Sequence, residues 1–168
     1  KKDVFSMWFK VIVAILPAAI IGIPLDDLFE EKFHNYIVVS LALIVYGIAF
    51  IVIEKRNKHL KPKVGSIGEI TYKTAFLIGC FQALSLIPGT SRSGSTILGA
   101  ILIGVSRVTA AQFSFYMAVP VMFGASFIKL LKFGLDFTSK ELIIILVGMV
   151  TAFLVSVIAI KFLMNYIK

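Results

Sequence analysis

Long apolar runs separated by short polar stretches dominate the chain. Four runs are long enough to cross a bilayer as helices, and they cover residues 7–25, 36–53, 109–128 and 142–160. An α-helix rises about 1.5 Å per residue, so about 20 apolar residues cross a hydrocarbon core of roughly 30 Å. The pattern therefore predicts four membrane-spanning helices.

The stretch between Lys73 and Arg107 departs from this pattern. It contains two apolar arms, residues 74–87 and 93–106, of 14 residues each. Each arm would be about 21 Å long as a helix, which is too short for a full crossing. Pro-Gly breaks the first arm, and Thr90 or Ser91 can cap the second. These features predict a re-entrant helical hairpin over residues 74–106 that enters from the cytoplasmic face and returns to it.

The composition excludes a water-soluble domain. Hydrophobic residues make up 59% of the chain and charged residues only 15%, whereas soluble domains are about half apolar and a quarter charged. A membrane β-barrel would show short segments of alternating polarity instead. We therefore expect an all-α integral membrane protein, a helical bundle forming a single membrane domain over residues 1–168 and incomplete at both ends.

The net charge of +8 comes from cations that flank the apolar runs. The positive-inside rule explains this placement without nucleic acid as a partner. Residues 26–35 carry four acids and are predicted to be an outer loop, whereas residues 54–73 are rich in cations and are predicted to be cytoplasmic. The one cysteine, Cys80, excludes an internal disulfide framework and a Cys-type zinc site, and we expect it to be a buried small residue.

Candidate chemistry is concentrated between the two short arms, around Arg92. Its guanidinium is a permanent cation with planar donors, and no acid occurs between Glu69 and Asp136 to neutralise it. An unpaired cation at membrane depth costs at least about 2.5 kcal/mol, which an anionic ligand would offset. The helix N-terminus adds its positive dipole end to hydroxyl donors and glycines that permit close approach. The hydroxyls and glycines are Gly89, Thr90, Ser91, Ser93, Gly94, Ser95 and Thr96.

A purely structural interpretation stays open beside this phosphate cradle. Arg92 would then reach water from an interfacial loop, and the small residues would serve helix packing. Gln82, on the first arm, suits a packing hydrogen bond as well as a role in the site. The remaining polar candidates carry no assigned chemistry. His34 and His59 fall in charged loops without an expected catalytic role, Arg107 is expected to anchor the interface, and Gln112, Ser114 and Tyr116 are expected to face protein.

The string Pro88-Gly89-Thr90-Ser91-Arg92-Ser93-Gly94-Ser95-Thr96 resembles the second signature of the bacterial undecaprenyl-diphosphate phosphatase family, the bacitracin-resistance type, which is Pro-Gly-x-Ser-Arg-Ser-Gly-x-Thr. Residues 79–82, 104–107, 113–115 and 118–120 resemble the family as well. The resemblance implies a multi-pass phosphatase of the bacterial plasma (inner) membrane. It would hydrolyse a C55 polyprenyl diphosphate to the monophosphate and phosphate, which recycles the cell-wall lipid carrier. It also implies a transporter-like fold of inverted repeats, with a site opening to the outer face.

The resemblance assigns roles to residues of this chain. Arg92 would bind the diphosphate, and Ser91, Ser93 and Thr96 would line the catalytic site with it. Gly89, Thr90, Gly94, Ser95 and Gln82 would contact the substrate.

The family's first signature, Glu-x-x-x-Glu followed by a Ser-Ser-Thr-Gly-His stretch, is missing, as is a last span. We therefore expect no metal ligands in this chain. A divalent cation, Mg²⁺ or Ca²⁺, would take its ligands from the missing first half, and the 168-residue piece alone is predicted to be inactive. The expected partners are the polyprenyl diphosphate and the bilayer, and a homodimer is left open. The alternatives are a transporter or flippase for an anionic lipid or oxyanion, and a structural subunit.

Overall fold

Every regular element of the described chain is helical. The computed structural model describes residues 2–57, 60–134 and 137–167, so Lys58, His59 and Asp136 lie outside the described residues. Six α-helices are present in these ranges: α1 (Lys2–Phe33), α2 (Tyr36–Asn57), α3 (Tyr72–Ala83), α4 (Arg92–Leu102), α5 (Arg107–Phe133) and α6 (Ser139–Ile167). Two short 3₁₀ turns, Ile67–Glu69 and Leu84–Leu86, precede and follow α3.

Four helices in the described part of the chain are long and apolar enough to cross a membrane. Their apolar segments are Val4–Leu25, Tyr36–Asn57, Arg107–Phe133 and Ser139–Ala159. They carry many exposed Ile, Leu, Val and Phe side chains, as expected of helices whose surroundings are lipid rather than water. The predicted all-α membrane class is therefore confirmed.

Helix α1 is longer than the hydrophobic pattern predicts. The acidic stretch 26–33, predicted to be a loop, continues the helix to Phe33. Glu and Lys are good helix formers, so charge does not end a helix. The rings of Phe29 and Phe33, four residues apart, also lie 5.4 Å from each other, which stabilises this last turn.

The short arms form two helices joined by a tight connection. Thr71 caps α3 by accepting a hydrogen bond from the Thr74 N–H at 3.1 Å, and Ser91 caps α4 in the same way for Gly94 at 3.1 Å. Helix α3 ends before Pro88 because Ile87 is extended, the conformation that a following proline favours. Helix α4 ends near Gly104, whose φ of 94° suits a residue without a side chain.

The two ends of this hairpin are joined at its base. The Lys63 N–H donates to the Gly104 carbonyl at 2.8 Å, and the Ser106 N–H donates to the Val64 carbonyl at 2.8 Å. The Glu69 carboxylate accepts from the Gly65 N–H at 2.8 Å, and this bond lowers the pKa of Glu69 below its ordinary value of 4.5. The chain therefore enters and leaves the hairpin at the same end.

Residues up to Gly124 form one compact unit, and the residues from Ala125 onward form a second. In the first unit α1 packs along α3, and Gly79 lets the two backbones approach closely at Ala14. Cys80 is exposed, so the prediction that it is buried is wrong, because α3 turns Ile78 and Gly79 inward instead. The buried core consists of Val11, Ala14, Ile70, Ala75, Ile78, Ala100, Ile101, Val105, Ala110, Phe113 and Met117.

Candidate functional site

The tip of the hairpin packs closely against α2 because a glycine stands at the contact. Gly89 has a φ of 89°, and a Cβ there would lie 2.8 Å from both the Cα and the carbonyl oxygen of Val39. A larger residue would therefore meet both backbone strain and a steric clash. The Thr90 N–H donates to the Ile87 carbonyl at 3.1 Å and closes the turn. Thr90 itself is half-buried.

The beginning of α4 presents polar groups at this tip. Ser91 and Ser93 are exposed, and their hydroxyl oxygens lie 3.3 Å apart. Gly94, one turn into the helix, is buried against Phe50 and Ser91. The first N–H groups of a helix point along its axis and favour an anion. Two hydroxyls and a helix N-terminus therefore converge on one accessible place.

Arg92 is the cation of this site. It is half-buried, and its Nη2 donates to the Ser114 carbonyl at 3.4 Å. Its Nε is buried and has no hydrogen-bond partner. Among side chains that the structure describes, no carboxylate pairs with it, and the Glu54 carboxylate pairs with Arg107 instead. The guanidinium thus has donors to spare and its charge is not neutralised within these residues.

The deeper hydroxyls of the signature have protein partners. Thr96 is fully buried, donates to the carbonyls of Arg92 and Ser93 at 3.0 Å each, and lies 2.7 Å from the Ser114 hydroxyl. Ser95 is also buried and donates to the Tyr46 hydroxyl at 3.0 Å. These two side chains connect α4 to α5 and to α2, whereas Ser91 and Ser93 face outward.

Gln82 carries an unsatisfied acceptor in the interior. The side chain is 1% exposed, and its Oε1 has no hydrogen-bond partner among the described groups. A buried acceptor without a donor costs about 1–3 kcal/mol. The Gln82 Oε1 can therefore accept a further hydrogen bond. A hydrogen bond that serves only helix packing does not account for this free acceptor.

Two residues that position the site have no assigned role in the sequence pattern. Tyr46 lies inside an uncharged span, and Ser114 was expected only to face protein. Ser114 is indeed buried, and the Tyr116 ring packs edge-on against the Trp8 ring of α1 with centroids 6.3 Å apart. Gln112 is exposed, so the expectation is wrong for Gln112. The sequence signal for Tyr46 and Ser114 is a polar side chain inside an apolar span, because such side chains usually form hydrogen bonds to a neighbouring helix.

The contact between Thr96 and Ser114 gives a testable coupling across the α4–α5 interface. We expect Thr96→Val and Ser114→Ala each to lower the unfolding free energy, and the double variant to lose less than the sum of both. The expected coupling is about 0.5–1.5 kcal/mol, the net value of one buried hydrogen bond. A double-mutant cycle of denaturant unfolding in detergent measures it. Strict additivity of the two losses would show that this bond does not form.

The described residues contain no group of three or more His, Cys, Asp and Glu side chains that could hold a metal. The hairpin tip offers a guanidinium, hydroxyls and backbone N–H groups, whereas protein sites for Mg²⁺ and Ca²⁺ usually include carboxylate oxygens. This arrangement fits an anion and does not by itself fit a metal ion.

The sequence of the chain is similar to one family of known proteins. The sequence model of the family described as "Bacitracin resistance protein BacA" matches residues 1–168. An undecaprenyl-diphosphatase of Acetivibrio thermocellus is 62% identical over 168 residues, which are 100% of this chain and 62% of that protein. One of Enterococcus faecalis is 58% identical over 171 residues, with 100% and 62% covered. An undecaprenyl-diphosphatase 1 of Clostridium acetobutylicum is 59% identical over 169 residues, with the same coverage.

The chain thus spans about three fifths of the length of these curated relatives. The family match nevertheless covers every residue of it, including the hairpin tip. The chain therefore belongs to the bacitracin resistance protein (BacA) family.

Proposed function

We propose that the full-length protein is an undecaprenyl-diphosphate phosphatase. The observation that carries this proposal is the half-buried Arg92, which has no carboxylate partner among the described side chains and stands at a helix N-terminus beside two exposed serines. A guanidinium forms paired hydrogen bonds with phosphate oxygens, and the apolar helices would accommodate a polyprenyl chain. The names of the relatives agree with this substrate.

In this proposal the residues of the hairpin tip have separate roles. Arg92 binds the diphosphate and stabilises the charge that develops on its oxygens during hydrolysis. Ser91 and Ser93 donate hydrogen bonds to the same group, and Thr90 extends the polar surface. Gly89 and Gly94 let the turn and the first turn of α4 pack closely on Val39 and Phe50, which positions the polar groups for the ligand. Thr96 and Ser95 hold the start of α4 in place through α5 and α2.

We infer that the hairpin is re-entrant and that its tip opens toward the outer face. The base lies beside the cation-rich segment and beside Lys10, whose Nζ donates to the Gly68 carbonyl at 3.2 Å, so the positive-inside rule places it in the cytoplasm. The tip contacts Gly22 through Leu86 and Val39 through Gly89. Gly22 and Val39 each lie three residues, or roughly 5 Å, from the end of their apolar segment that is remote from the hairpin base. This depth supports an outward-facing site in the bacterial plasma membrane.

The remainder of the catalytic machinery would come from the rest of the full-length protein. Hydrolysis of a phosphoanhydride needs an activated water or nucleophile, and the described residues place no carboxylate or histidine at the hairpin tip. We propose that a second, inverted repeat supplies these groups together with the ligands of a divalent cation, Mg²⁺ or Ca²⁺. The buried, unsatisfied Oε1 of Gln82 is one group that such a repeat would contact.

Phosphate release from polyprenyl diphosphate tests the function directly. The full-length protein in sealed vesicles is expected to release phosphate, whereas residues 1–168 alone should release none. A transporter or flippase would instead move labelled substrate across the membrane without hydrolysis. Transport of intact diphosphate, with no phosphate released, would overturn the phosphatase assignment and favour that alternative.

A further inference from the structure

A second cationic feature lies at the base of the hairpin, at the end of α4 that is remote from Arg92. A cavity of about 290 Å³ opens where the end of α2, the segment 60–63 and the end of α4 meet. Its lining combines apolar side chains, three cationic side chains and the neutral amide of Asn57. The apolar wall includes Ile53, Ile101 and Leu102, and the cationic side chains are Arg56, Lys61 and Lys63.

The charges of this cavity are not balanced by its own lining, which contains no acidic residue. The two neighbouring acids are engaged elsewhere, because Glu54 pairs with Arg107 and Glu69 accepts hydrogen bonds from Gly65 and Ser66. Arg56, Lys61 and Lys63 form no ion pair within the described ranges. Three like charges around one concave surface give it a positive potential that attracts anions.

The position of the cavity selects among anions. Ile53 belongs to the apolar span of α2, and Arg56 follows it in the last turn of that helix. With the base at the cytoplasmic face, the exposed Leu102 would continue the apolar wall toward the lipid, and the cations would lie near the lipid headgroups. A free phosphate would use the cations alone, whereas a lipid would use both parts of the cavity.

We propose that this cavity binds the headgroup of an anionic phospholipid of the cytoplasmic leaflet. The lipid phosphate lies among Arg56, Lys61 and Lys63, and the upper part of an acyl chain lies against Ile53 and Leu102. Basic pockets beside membrane helices on this side hold anionic headgroups through the same combination. The proposal depends on the orientation of the base toward the cytoplasm and not on the phosphatase reaction.

Native mass spectrometry of the purified full-length protein tests the proposal. The protein in detergent is titrated with phosphatidylglycerol or with phosphatidylcholine of the same acyl chains. We expect wild type to retain phosphatidylglycerol preferentially. The triple variant Arg56→Gln, Lys61→Gln, Lys63→Gln should bind it about tenfold or more weakly, since each cation near a headgroup contributes to affinity. A control variant, Lys129→Gln, Lys140→Gln, Lys161→Gln, loses the same charge elsewhere and should bind like wild type.

Three results would overturn the assignment. They are equal retention of the two lipids by wild type, an equal loss in the cavity and control variants, and displacement of the lipid by glycerol phosphate or inorganic phosphate at equal concentration. The last result would indicate a site for a soluble anion. If the triple variant does not fold, Lys61→Glu alone, at an exposed position, is expected to weaken phosphatidylglycerol binding, and unchanged binding would count against the proposal.

Discussion

Arg92→Ala in the full-length protein is expected to reduce phosphate release from polyprenyl diphosphate by about 10²–10³-fold or more. Losses of this size follow when one preorganised donor to a developing negative charge is removed. Arg92 is also held by α5 through the Ser114 carbonyl, which fixes the position of the guanidinium at the hairpin tip. The measurement is kcat/KM for phosphate release, with the thermal unfolding temperature recorded for each variant.

Two further variants test whether activity requires the guanidinium group itself and whether the effect is specific to Arg92. Arg92→Lys keeps a cation but loses the planar fork, so its activity should lie between those of wild type and Arg92→Ala. Arg107→Ala removes the same residue type from the beginning of α5, where it forms an exposed ion pair with Glu54, and should leave kcat/KM nearly unchanged. Full activity in a folded Arg92→Ala protein would refute the role given to this residue.

Gly79→Ala is expected to give the second large effect, a loss of stability. A methyl group on Gly79 would overlap the carbonyl oxygen of Ala14 and lie 2.8 Å from its carbon. Both are backbone atoms that no side-chain rotation can move, so α1 and α3 would have to separate. We expect a cost of about 1–3 kcal/mol or more, the usual penalty of overpacking. Reversible unfolding in detergent measures it.

Gly47→Ala is the matched control for this variant. It makes the same chemical change inside another membrane helix, but a Cβ at Gly47 has no atom within 4 Å. The expected result is a stability equal to that of wild type or slightly higher, because alanine has the higher helix propensity. Equal stability of the Gly79→Ala and Gly47→Ala proteins would show that the close α1–α3 contact is absent in the membrane-embedded protein.

Local chemistry explains which features could be predicted from the sequence. The spans follow from the length of each apolar run, and the break between the short arms follows from Pro88. A hydroxyl N-cap at Thr90 or Ser91 follows from hydroxyls next to a free helix end, and the structure shows that Ser91 provides it. Each of these features depends on residues that are close together in the chain, so the interacting groups can be identified from a short stretch of sequence. The cation without a nearby acid, Arg92, is recognisable for the same reason.

The tertiary structure decided which side chains are exposed and which distant residues they contact, because both depend on how each helix is rotated against its neighbours. It separated the exposed Ser91 and Ser93 from Ser95 and Thr96, whose partners Tyr46 and Ser114 are 49 and 18 residues away. It also exposed Cys80 and brought the cations of the hairpin base around one cavity. The sequence by itself determined the all-α membrane class and predicted an anion-binding turn, because hydrophobic length, capping and charge are local properties. Which hydroxyls remain accessible was decided by packing between distant segments, where small residues such as Gly79 and Gly89 let the backbones touch.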